Sequence, residues 1–311
     1  MMITLFLFFL CDALWAHDQY DWRSDYEAYL SLKIDPRPLV KGVQKQPGRI
    51  DLHFFKEKLL TFASIERSTN QNLDTSRKFL TEEYKKIGFE VSYYPFGTGT
   101  NFVAEKKGIK QPEKILILSS HIDSVGNKGA NDNGTGTIGA LSIARELAKS
   151  NFNYTIRVLG FDREERGLLG SDAYVAAIAN KKDIVGNINI EMIGHHARKD
   201  GAFHLIDCER PYFIGVSELK SAFLSQEVKT SIANLGLDLR VVKACTDRSD
   251  HASFWRHKIP AIVVSENFFG GDDDPCYHAR CDVVDDRLNY PYMQMILEAL
   301  LDATERILQK Q

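Results

Sequence analysis

Lys114-Ile115-Leu116-Ile117-Leu118-Ser119-Ser120-His121-Ile122-Asp123 is the stretch whose reading decides the fold. A short, unbroken apolar run reads as a strand buried on both faces, because a half-exposed strand would alternate. This run ends in a histidine and an aspartate, side chains that a buried strand does not need for packing. Working outward, residues 155–161, 186–190 and 261–265 repeat the apolar run, and residues 239–243 form a further strand. Between them, residues 136–148, 170–178, 215–235 and 251–256 carry helical patterns, and residues 292–308 close the chain as a helix. Toward the N-terminus, helices are expected over 52–64 and 76–87, the second closed by Gly88, then strands over 90–94 and 101–105. Strands that alternate with helices predict an α/β fold with a mixed, largely parallel central sheet and helices on both faces. Ligands of such sheets bind at the carboxyl ends of the strands.

The chain has 311 residues, 44% hydrophobic and 26% charged, enough for one large core. Its formal net charge of -3 offers no footprint for nucleic acid or an anionic membrane. The run Ile3–Leu10, followed by the small residues Ala13 and Ala16, is too short to span a bilayer. It reads as a signal peptide over 1–16 of a secreted or periplasmic protein, with no stable membrane insertion after its removal. Lipidation at Cys11 is the lesser alternative. Residues 17–49 then read as a polar leader and residues 50–311 as the main domain. Four cysteines then remain, Cys208, Cys245, Cys276 and Cys281, and an even number permits disulfides. Cys276 and Cys281 are near enough in sequence to bridge a loop, without the sequence deciding that they do.

Five polar constellations fall at strand ends or in the loops that follow. His121 ends the first strand, with Asp123 two residues on, placed to orient the imidazole. Asp132 lies in Gly129-Ala130-Asn131-Asp132-Asn133-Gly134, just before a helix. Glu164 and Glu165 follow the strand 155–161, Glu191 ends the strand 186–190, and His278 follows the strand 261–265. Each alone reads as a turn, a helix cap or a solvated cluster. Together, two imidazoles and three carboxylates (His121, Asp132, Glu165, Glu191, His278) suit a pair of divalent ions, most naturally two Zn2+ sharing one carboxylate. Of the tandem acids, one would then bind metal and the other act as general base.

The ordered motifs SSHIDS, GANDNGTG, EERGLLGS, NIEMIG, SDHASFW and CYHARCD resemble the co-catalytic zinc aminopeptidases of the aminopeptidase S and aminopeptidase Y type, relatives of the glutaminyl cyclases. The resemblance runs from about residue 50 to the C-terminus. It implies a zinc-exopeptidase, phosphorylase/hydrolase-like architecture and hydrolysis of N-terminal peptide bonds in a peptide or small aminoacyl substrate. It implies that His121 and Glu165 bind one zinc, Glu191 and His278 the other, and Asp132 both. Glu164 would be the general base, Asp123 would orient His121, and Ser249-Asp250-His251 would border the substrate pocket. The chain departs from the pattern at Glu191, where aspartate is commoner, and near Arg248, where some relatives place a tyrosine that supports the oxyanion; Arg248 could take that role. The alternatives are a glutaminyl cyclase-like acyltransferase, a carboxypeptidase or dipeptidase that uses Arg163, Arg166, Arg248 or Arg280 to hold a substrate carboxylate, and a binding module without activity. The sequence leaves the oligomeric state open.

Overall fold

The computed structural model describes residues 48–207, 221–242 and 244–310. The expected signal peptide, nearly all of the leader, Cys208 and the start of the helix over 215–235 lie outside the described residues. The described helices are α1 (Leu52–Phe62), α2 (Asn70–Lys86), α3 (Gly136–Leu147), α4 (Leu169–Ala177), α5 (Ala222–Leu235), α6 (His251–Arg256) and α7 (Tyr290–Leu308). The strands are β1 (Glu90–Phe96), β2 (Gly99–Lys106), β3 (Gln111–His121), β4 (Tyr154–Phe161), β5 (Ile184–Glu191), β6 (Ala202–Ile206), β7 (Arg240–Val242) and β8 (Ala261–Glu266).

They form one 8-stranded sheet in the order β1-β2-β4-β3-β5-β8-β6-β7. The four central strands β4, β3, β5 and β8 run parallel. The flanks turn antiparallel where β2 meets β4 and β6 meets β8. The sheet is thus mixed, with a parallel centre, as the apolar runs predicted. Its centre is dry: Leu116, Ile117, Leu118, Ile188, Ile190, Ile262 and Val264 are fully buried. At about 25 cal/mol per Å2 of apolar surface, burial of each such side chain contributes roughly 1.5–3 kcal/mol.

The helices begin and end where their chemistry says. Asp51 caps α1 by accepting from the backbone of His53 and Phe54. Thr69 caps α2, which starts six residues before the expected helix because its first turn, Asn70-Gln71-Asn72, is polar and carries no periodicity. Gly88, at φ 85, ends α2 as expected. β6 was not expected. Its five residues are all buried, but His204 interrupts the apolar run.

Candidate metal centre

The carboxyl ends of the parallel strands bring the five expected ligands together. His121 is the last residue of β3, and its Nε2 lies 3.1 Å from Asp132 Oδ1 and 3.3 Å from Glu191 Oε1. The other oxygen of Asp132, Oδ2, lies 3.2 Å from His278 Nε2, which is also 3.2 Å from Glu165 Oε2. The ligand atoms of His121, Asp132 and Glu165 fall within 4.8 Å of one another. Asp132 therefore faces an imidazole with each oxygen. The shortest contacts run differently from the pairing that the resemblance implied: His121 lies against Glu191 and His278 against Glu165, while the ligand atoms of His121 and Glu165 also converge with that of Asp132. The reason is strand order. β5 pairs with β3 with Ser119 opposite Asn189, so two residues on Glu191 stands beside His121. Glu165 lies past the end of β4 in a short 3-10 turn, Glu164–Arg166, and meets His278 instead.

Each ligand is held by its surroundings. His121 Nδ1 lies 3.2 Å from the Asp123 carbonyl oxygen, so the ring can donate there and present a lone pair on Nε2. The Asp123 carboxylate is 3.5 Å from the same nitrogen and accepts from the backbone N–H of Glu164 and Glu165. Asp123 thus meets the His121 ring through its backbone carbonyl, while its carboxylate fixes the turn that carries the tandem glutamates. The turn holding Asp132 is tied down by Asp282, whose two oxygens accept from the backbone of Asn131 and Asp132. Asn133 donates to the Ile190 carbonyl and accepts from Gly136 and Met192. Gly129, at φ 53, leaves no room for a side chain, since a Cβ would stand 2.3 Å from the Asp132 carbonyl oxygen. Glu191 Oε2 accepts from Ser249 Oγ at 2.7 Å, and Ser249 in turn accepts from Asn189. In the Ser-Asp-His segment, then, the serine steadies a ligand, while His251 is buried and bonds the Thr246 carbonyl oxygen.

Electrostatics follows from this crowding. Burial opposes charge on Asp132, but hydrogen bonding to His121 and His278 overrides it and holds the carboxyl well below its ordinary range. Hydrogen bonds to Asp132 and Glu165 push His278 up to about 9. Burial, with Asp250, Glu191 and Glu165 nearby, lifts Glu164 well above the carboxylate range even though His121 pulls the other way. Burial likewise raises the Asp250 carboxyl to about 8.

Two residues at the site were not singled out from the sequence. Asp282 appeared only as the last letter of a motif. Tyr277 stacks on His278, with ring centroids 3.8 Å apart, and burial raises its phenol so that it stays protonated. The charges of Asp132, Arg248, Glu165 and Glu191 all act on that phenol. Arg163 is not available to a substrate; it is buried and donates to Ser68, Asn70 and Thr98.

The donor set fits divalent metal. Glu165 Oε1 is buried with no hydrogen-bond partner, and five nitrogen or oxygen ligands converge with hardly a donor among them. A carboxylate shared by two imidazole–carboxylate pairs matches the bridge that paired zinc ions use.

Convergent imidazoles and carboxylates at the ends of parallel strands define a class, α/β proteins with a candidate metal centre at the strand ends. Residues 101–304 match the model of Peptidase family M28, and the chain belongs to that family. It is 30% identical over 217 residues to aminopeptidase YwaD of Bacillus subtilis, a match covering 66% of this chain and 44% of that protein. The chain thus spans less than half the length of that relative. Among solved structures, the zinc aminopeptidase BSAP of Bacillus subtilis superposes with a TM-score of 0.60 at 26% identity, over 68% of this chain and 51% of that one. An aminopeptidase from Aneurinibacillus sp. strain AM-1 shares the fold, with a TM-score of 0.72 at 15% identity, over 85% of this chain and 95% of that one.

Proposed function

We propose that this chain is a zinc-dependent aminopeptidase with two metal ions, held by His121 and Glu191 on one side, His278 and Glu165 on the other, and Asp132 between them. The observation that carries the reading is Asp132, with an imidazole on each oxygen. When bound, the zinc pair supplies Lewis acidity, polarising the scissile carbonyl and acidifying water at neutral pH.

The remaining steps belong to the chain's own residues. Glu164, whose raised proton affinity suits the task, takes a proton from the attacking water and passes it to the leaving amine. Tyr277, protonated and stacked on His278, donates toward the oxygen that becomes negative. The carboxylates of Glu164 and Glu191 offer an anionic partner to the free α-amino group of the substrate, which makes the reaction an exopeptidase one.

The test is elemental analysis of the purified chain, with release of Leu, Arg or Gln from fluorogenic substrates, with and without chelator. Two zincs and chelator-sensitive release support the proposal; one zinc with cyclisation of Gln replaces it with the cyclase reading. Glu164→Gln should keep its metal and lower kcat by about 10²–10⁴-fold. We also infer that the enzyme works in an oxidising compartment. The support is the Cys276–Cys281 disulfide and a disulfide at Cys245, added to the apolar run Ile3–Leu10. No described helix is long and apolar enough to cross a membrane.

A further inference from the structure

Arg67, in the connection between α1 and α2, heads the fully buried side chains by volume. Its Nε donates to the Ile122 carbonyl oxygen at 2.8 Å, its Nη2 to that of Gly129 at 2.8 Å, and its Nη1 to that of Lys128. Its backbone N–H donates to Ser124 Oγ at 2.9 Å, its carbonyl accepts from the Ser124 N–H at 3.2 Å, and Ser124 Oγ donates on to the Asn127 carbonyl oxygen at 2.8 Å. The Phe62 ring lies 4.5 Å from the guanidinium carbon.

The chain positions matter more than the number of bonds. Ile122 directly follows His121, and Gly129 lies three residues before Asp132. One rigid, planar fork therefore joins the strand end that presents His121 to the turn that presents Asp132. Its charge is a separate matter. Among the described residues Arg67 makes no ion pair, yet the carboxylates of Asp282, Asp123, Asp132 and Glu165 all act on it from a distance.

We propose that Arg67 is a positioning residue of the metal centre: its three carbonyl bonds fix the spacing of His121 and Asp132, and through it the affinity for divalent ions. This rests on the two-metal reading above. Geometry and charge predict opposite signs. A buried cation repels incoming Zn2+, so if only its charge mattered, the neutral Arg67→Met would bind zinc more tightly and Arg67→Lys would bind it unchanged. If the fork matters, both variants bind zinc more weakly, because methionine has no donor and the lysine donors sit on one nitrogen rather than on the three that Arg67 spreads toward the carbonyls.

The experiment is Zn2+ titration of the full chain against a chromogenic chelator, with circular dichroism and thermal melting on the same samples and the visible spectrum of the Co2+ form as a second readout of ligand geometry. Arg67→Lys and Arg67→Met should each weaken Zn2+ binding by about 10–100-fold and change the Co2+ spectrum, as loss of a ligand-orienting partner does elsewhere. A melting temperature that falls while zinc affinity and Co2+ spectrum stay at wild-type values overturns the proposal and leaves Arg67 as a packing residue. Tighter binding by Arg67→Met overturns it in favour of charge. Should both variants fail to fold, Arg67→Gln, which keeps two N–H donors but not the fork, takes their place; weaker zinc binding supports the proposal and unchanged or tighter binding overturns it. A wild-type chain that binds no Zn2+ sinks the metal reading itself, an outcome distinct from all of these.

Discussion

A carboxylate that meets two imidazoles, one at each oxygen, has no bland explanation once it is buried, as Asp132 is. Replacing Asp132 by Ala should abolish both metal equivalents, whereas His278→Ala should remove one and leave the other; elemental analysis after gel filtration separates the two. That these side chains gather at one edge of the sheet was legible in the sequence, because His121 and Glu191 end buried strands whose packing does not require them and the other three follow strands in loops. Their pairing was not, since it depends on β3 lying between β4 and β5, a through-space order that no local pattern encodes. A second residue-scale consequence concerns acid. His204 Nδ1 donates to the Val242 carbonyl oxygen while its Nε2 accepts from the Phe269 N–H, so a second ring proton would break the latter bond. Burial pushes His204 down to about 4, and His251 to about 4 as well. Both lie below the unfolded value, so their contribution is complete above about pH 6.5 and is lost as pH falls toward 4, by roughly 3 kcal/mol each at most. Urea unfolding at pH 7 and pH 4.5 should show that decline, and His204→Gln should blunt it.

At the scale of elements, the segment before α3 is the connection on which the centre depends. Asn133 is fully buried and binds the Ile190 carbonyl and the N–H groups of Gly136 and Met192. Asn133→Ala removes the side-chain partner of the Met192 N–H and the Ile190 carbonyl, while Gly136 keeps its bond to the Asn133 backbone carbonyl, and loss of about 1–3 kcal/mol per group left unpaired is expected, read as a lower urea midpoint. Sequence reading found every strand of the parallel centre, because long apolar runs admit no other surroundings. It missed β6 and the first turn of α2, where a histidine and three polar residues mask the pattern.

For the whole molecule, the sheet acts as an assembly jig. Ligands that are 157 positions apart along the chain (His121 to His278) meet because four parallel strands end on one side. Not all of them are anchored alike. His121 and Glu191 stand on strands in the middle of the sheet, whereas His278 hangs on the short loop closed by the Cys276–Cys281 disulfide, with φ at 55 and a side chain 40% exposed. That covalent ring is a fuse. Opening this bond alone, as Cys276→Ser does, lengthens the leash on one ligand only, so that variant in the presence of chelator should give up one metal equivalent quickly and the other slowly. Stopped-flow release of zinc to a coloured chelator would show whether the two phases separate. If they do, one covalent bond in one short loop decides whether the centre is fully or half loaded.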